Sequence, residues 1–96
     1  MSWSDEDIQN VWNKGHQAAN NEPSKWRKDD CSAWISRAQY GNRDSKYGWE
    51  IDHTNSNGGD GLSNLRPLEW KNNASKQDGT HTCPVTANGT DNVDNG

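Results

Sequence analysis

Residues 48–76 read GWEIDHTNSNGGDGLSNLRPLEWKNNASK, and this stretch decides the fold. Residues 48–53 alternate apolar and polar side chains, as a half-buried strand does. Residues 54–63 are Thr, Asn, Ser, Gly and Asp around a single Leu62, the composition of a surface loop. Residues 64–68 predict a second short strand, which Pro67 confines to an edge or a strand end. Residues 69–77 predict a closing helix that stops at Asp78-Gly79.

Upstream, Ser4 is a suitable N-cap with Asp7 three residues on, and Ile8, Val11 and Trp12 recur at helical spacing. A first helix is therefore expected over residues 5–14, followed by a polar loop over 15–24. Residues 25–37 predict irregular structure with one short strand near 33–37, and Tyr40-Gly41-Asn42 a turn. Beyond residue 80 the chain is mostly Thr, Asn, Gly and Asp, so residues 80–96 are expected to be a disordered polar tail. The fold class is α+β, one small domain over residues 1–79.

Leu, Ile and Val number only three each in 96 residues, and Phe is absent. Six Trp and two Tyr compensate, each able to bury roughly 150–250 Å². The expected core is Trp12, Trp26, Trp34, Trp49 and Trp70 with Ile8, Val11, Ile35, Ile51, Leu65 and Leu68. Trp3 is the aromatic expected to be exposed and free to stack on a base. So lean a domain is marginal in stability, and a bound metal would help it.

The net charge is −4, with nine Lys/Arg against seven Asp/Glu confined to residues 25–76 and an acidic excess on either side. The basic excess sits in the segment, residues 25–76, that also contains the strand–loop–strand–helix stretch, and a short positive patch suffices for a small contact. No stretch is apolar enough to cross a bilayer, and no secretory apolar segment stands at the start. The chain is thus expected in the cytoplasm, with Cys31 and Cys83 more readily free thiols than paired. His16 and His81 have no partners in register and are expected to be solvated.

The chemistry concentrates in the quoted stretch. The neutral imidazole of His53 can take a proton from water near neutral pH. Asp52 offers an anionic oxygen of the kind that suits Mg²⁺ or Mn²⁺. Neighbours in a strand point to opposite faces, so metal and base could stand on two sides of one phosphate. Asn73 and Lys76 share a helix face with Glu69. Asn73 can offer an amide oxygen to the metal of Asp52, and Lys76 a point charge to phosphate. Asn64, where the loop rejoins the second strand, can bond backbone on either side and orient His53. Arg66 is a further candidate phosphate contact.

Asp52-His53, Asn64-Leu65-Arg66-Pro67-Leu68 and Asn72-Asn73-Ala74-Ser75-Lys76 together resemble the HNH endonuclease motif in its His-Asn-Asn form. The resemblance is clear over residues 48–79 and looser over 25–47. It implies a ββα-metal module, here residues 48–78, and metal-dependent cleavage of nucleic acid, DNA before RNA. It implies His53 as general base, Asn64 as the orienting residue, and Asp52 and Asn73 as ligands of one divalent ion, Mg²⁺ first and Mn²⁺, Ni²⁺ or Zn²⁺ as alternatives. Many members also hold a structural zinc on two CxxC pairs. Here Glu69 and Asn72 stand at the second pair and Cys31 lacks a CxxC partner, so no structural zinc is expected. The rival class is a non-catalytic HNH-like module that binds nucleic acid or a protein partner.

Overall fold

A computed structural model describes residues 3–76 and 82–95. Helix α1 spans Asp5–Trp12, strands β1 and β2 span Trp26–Lys28 and Trp34–Ser36, and β3 and β4 span Trp49–His53 and Leu65–Glu69. Helix α2 spans Trp70–Ala74, and β5 and β6 span Val85–Asn88 and Asp91–Asp94. Each consecutive strand pair is an antiparallel two-stranded sheet. The fold is α+β.

Ser4 caps α1 as expected: its side chain accepts from the Asp7 amide, and the Asp7 carboxylate answers the Ser4 amide. The helix ends at Trp12, slightly short of expectation, with Asn13 as its C-cap, and Arg27 holds the chain that follows. That guanidinium donates to the carbonyls of Asn13, Gly15 and Pro23. The buried face of α1, Ile8, Val11 and Trp12, meets Ile35, Trp49 and Leu65. Trp12 and Trp49 lie 5.3 Å apart by ring centroid, and Tyr40 packs edge-on to Trp49 at 5.0 Å. Of the five Trp residues expected in the core, Trp12, Trp34 and Trp49 are buried, while Trp26 and Trp70 are half-buried. Trp3 is half-buried against the core rather than free.

Three expectations are corrected. First, residues 26–28 form a strand, which pairs with the expected one at 34–36. Second, residues 85–94 are a hairpin and not a disordered tail. Two buried amides fasten it. The Asn72 side chain exchanges hydrogen bonds with the N–H and C=O of Val85, and the Asn92 side chain does the same with Trp34 while also donating to the Lys46 carbonyl. Each amide thus replaces one rung of a sheet ladder. Third, Cys31 and Cys83 are joined in a disulfide, which ties the β1–β2 turn to the segment entering β5. Helix α2 ends at Ala74 with Ser75 as its C-cap, and both the expected stop at Asp78-Gly79 and His81 lie outside the described residues. Among the described residues, no helix is long and apolar enough to cross a membrane.

A buried polar knot lies beneath α2. Asp29 accepts from the amides of Cys31, Ala33 and Glu69 and from the side chain of Asn72. The Glu69 side chain caps α2 by accepting from the Asn72 amide at 2.9 Å. Burial pushes the Glu69 carboxyl up to about 7, with the neighbouring Asp29 adding to the effect, and burial raises Asp29 as well. The positions where the resemblance would put zinc ligands therefore hold a hydrogen-bonded carboxyl–amide pair.

Candidate active site

The site is built where β3 ends. Asp52 and His53 are its last two residues, paired across the sheet with Arg66 and Leu65. Strand alternation sends their side chains to opposite faces. Asp52 turns toward α2, and His53 turns toward the N-terminal segment, its ring centroid 6.0 Å from that of Trp3.

Asp52 is 3% exposed and both its oxygens are engaged. Oδ2 accepts from Arg66 Nε at 2.8 Å, and Oδ1 accepts from Lys76 Nζ. Lys76 also donates to the His53 carbonyl at 3.0 Å. Arg66 reaches Asp30 at 3.6 Å, and Asp30 in turn holds His16 Nε2 at 2.7 Å. His16, expected to be solvated and without a partner, is indeed exposed but bonds Asp30, at the outer end of a row running His16–Asp30–Arg66–Asp52–Lys76. Arg66 and Lys76, read from sequence as phosphate contacts, are in this state the counter-ions of Asp52. Arg66 Nη2 is buried and lacks a hydrogen-bond partner among the described residues.

Asn73 does not join Asp52. Its Nδ2 donates at 2.9 Å to Glu50, the residue two positions earlier on the same face of β3. Glu50 also takes a two-pronged contact from Arg43, at 2.7 and 2.9 Å, and these bonds hold its carboxyl below the usual range. Glu69, expected on the same helix face as Asn73 and Lys76, belongs to the buried knot instead.

Asn64 fastens the loop between β3 and β4. Its Oδ1 accepts from the Asn55 amide at 2.9 Å, and its Nδ2 donates to the carbonyls of Asn55 and Gly59, both at 2.8 Å. Gly58 is needed for this: a Cβ there would meet Asn64 Cγ at 2.8 Å. Lys14 closes the far end of the loop by donating to the carbonyls of Leu62 and Leu65. Within this loop Asp60 Oδ1 lies 2.6 Å from His53 Nε2. Sequence reading missed Asp60, because a lone Asp among Gly, Asn and Ser is an ordinary turn residue.

A divalent ion of the implied kind takes oxygen ligands. The Asp52 carboxylate and the His53 carbonyl are such oxygens, and they already converge on one cation, the Lys76 ammonium. The donors fit in kind, but Asn73 is turned to Glu50, and Lys76 must leave Asp52 before a metal can share it. Among the described residues, no three His, Cys, Asp or Glu side chains are grouped to hold a metal. No family model, curated protein or solved structure matches the chain.

Proposed function

We propose that the chain is a ββα-metal HNH endonuclease that hydrolyses phosphodiester bonds of DNA with the help of one divalent ion, Mg²⁺ before Mn²⁺, Ni²⁺ or Zn²⁺. One observation carries this reading: an acid and a base occupy the last two positions of β3 on opposite faces, and Asn64 fastens the loop that follows. In this reading His53 accepts a proton from the attacking water. Asp52 would hold the ion, joined by Asn73 once it turns from Glu50, and the ion would supply positive charge to offset that built up in the reaction. Once released from Asp52, Lys76 is free to contact phosphate, and Arg66, whose Nη2 is buried, would have to turn outward from Asp52 to do the same.

A second reading, the non-catalytic module that binds nucleic acid or protein, draws support from the double ion pairing of Asp52. In that reading the acid is a structural tie between β3, β4 and α2. Plasmid and single-stranded DNA incubated with each of the four metals, with His53→Ala as control, separates the two. Cleavage by the wild type that the variant loses supports the enzyme. Equal cleavage in both, or none in either, overturns it. Trp fluorescence on metal titration, absent in Asp52→Ala, supports the ligand role independently.

The cytoplasmic location expected from sequence went together with free thiols, whereas Cys31 and Cys83 are paired. A disulfide is at home in an oxidising compartment, and we infer that the folded chain matures in one.

A further inference from the structure

We propose that Asp60 is the positioning residue of His53. It holds the ring as the Nε2–H tautomer and leaves Nδ1 as the nitrogen that accepts a proton. For its catalytic consequence the inference rests on the endonuclease reading; for the tautomer it stands on geometry alone. Asp60 Oδ1 lies 2.6 Å from His53 Nε2, the distance of a short charge-assisted hydrogen bond. A carboxylate is acceptor-only, so the proton of that bond sits on Nε2 in the neutral imidazole. The Trp3 ring stands beside the imidazole, its centroid 6.0 Å away.

Asp60 is itself held from both sides by Asn64. The Asn64 side chain donates to the carbonyl of Gly59 at 2.8 Å, and the Asn64 amide donates to the carbonyl of Gly61 at 2.8 Å. The clamped carbonyls flank Asp60 directly. Gly59 has φ +79, a left-handed conformation that glycine adopts without strain and that turns the chain so that the next residue faces His53. Asn64 therefore has a defined task, and it acts at one remove: it fixes the backbone around Asp60, and Asp60 fixes the ring. A base whose partner sits on an otherwise polar, glycine-rich loop needs this two-stage support to keep one orientation.

The test uses ¹⁵N-histidine-labelled full-length protein, with His53→Gln to assign the His53 resonances apart from those of His16 and His81. In alkaline buffer, where imidazoles are neutral, His53 is expected to show a protonated Nε2 and an unprotonated Nδ1 with no tautomer averaging. Asp60→Ala is expected to move both shifts toward averaged values, and Asp60→Glu, which can reach the same nitrogen, to restore them. Unchanged His53 shifts in Asp60→Ala would overturn the inference. Where the wild type cleaves DNA, Asp60→Ala is expected to lower kcat about 10- to 100-fold, the range for partners that orient a functional ligand, with KM nearly constant and recovery in Asp60→Glu. A wild type that holds the single tautomer yet cleaves nothing leaves the positioning role standing and removes the endonuclease reading.

Discussion

Replacing Glu69 by Gln should make the protein more stable above about pH 4.5, with the full gain reached above about 7. The Glu69 side chain is almost completely buried, 1% exposed. Burial, helped by the neighbouring Asp29, lifts its carboxyl from the ordinary 4.5 to about 7. Between those two values the folded chain keeps a proton that the unfolded chain has released. Stability therefore falls as pH rises, by about 1.4 kcal/mol per unit. Across the whole window the loss reaches at most about 3 kcal/mol, and above about 7 it changes no further. Gln cannot ionise, yet its Oε1 can still accept the Asn72 amide that Glu69 now caps. The variant should match the wild type near pH 4 and exceed it by up to about 3 kcal/mol at pH 8. Urea unfolding followed by Trp fluorescence at several pH values measures both curves. Asp29, also raised by burial, titrates in both proteins and largely cancels in the difference. Curves separated by a constant offset at every pH would show that Glu69 is not the titrating group and refute the reasoning.

Other perturbations test other joints. Removing the Cys31–Cys83 disulfide, across a sequence separation of 52, should cost about 4 kcal/mol by the chain-entropy relation, read from unfolding curves with and without reductant. Asp52→Asn should cost about 3 kcal/mol, because it strips the anion from two largely buried cations; the same unfolding assay reports it, and a neutral result would mean that Arg66 and Lys76 find water easily. Lys76→Met should tighten Mn²⁺ binding in a calorimetric titration, since it removes the cation that competes for Asp52; unchanged or weaker binding would exclude Asp52 as the ligand. Asn64→Ala and Asp60→Ala should be non-additive in stability by about 1 kcal/mol, because both loosen one clamp.

Much of the fold was legible because its signals are local. The Ser4–Asp7 capping box, the alternation in residues 48–53 and the Pro-limited strand at 65–69 each depend on near neighbours in sequence. What escaped depends on distant partners. Residues 85–94 look featureless alone, with Val85 and Val93 their main apolar content. Their order comes from Asn72 and Asn92, ordinary surface amides in sequence that become backbone surrogates only in three dimensions. The candidate site divides the same way. The spacing located Asp52 and His53 on the intended strand and Asn73 on the intended helix, while Asn64 ends a 3-10 turn just before β4 rather than opening the strand; the partners of all four were not readable. Asp60, Glu50 and the pairing of Lys76 with Asp52 depend on a loop path and a helix rotation that no local pattern encodes.

The chain also bears on how a domain with nine Leu, Ile and Val residues stays folded. No structural zinc is expected to bridge the β1–β2 turn, which holds Cys31, to the start of the final helix, where Glu69 and Asn72 stand at the second ligand pair. Here Asp29 in that turn bonds the Glu69 amide and the Asn72 side chain at the helix start, so the same two segments are joined by hydrogen bonds. Cys31, in the same turn, reaches instead to Cys83 and recruits the C-terminal hairpin. The two links differ in what opposes them: burial penalises the charge that Asp29 and Glu69 take on as pH rises, although their N–H partners favour it, and reduction breaks the disulfide. The second link suits the fold to an oxidising compartment, and the first gives it an acid-side stability margin. Both properties follow from joining these segments by a carboxyl, an amide and a single disulfide, and a zinc-bridged fold of the same size would show the opposite response to acid, since protons compete with the metal for its ligands.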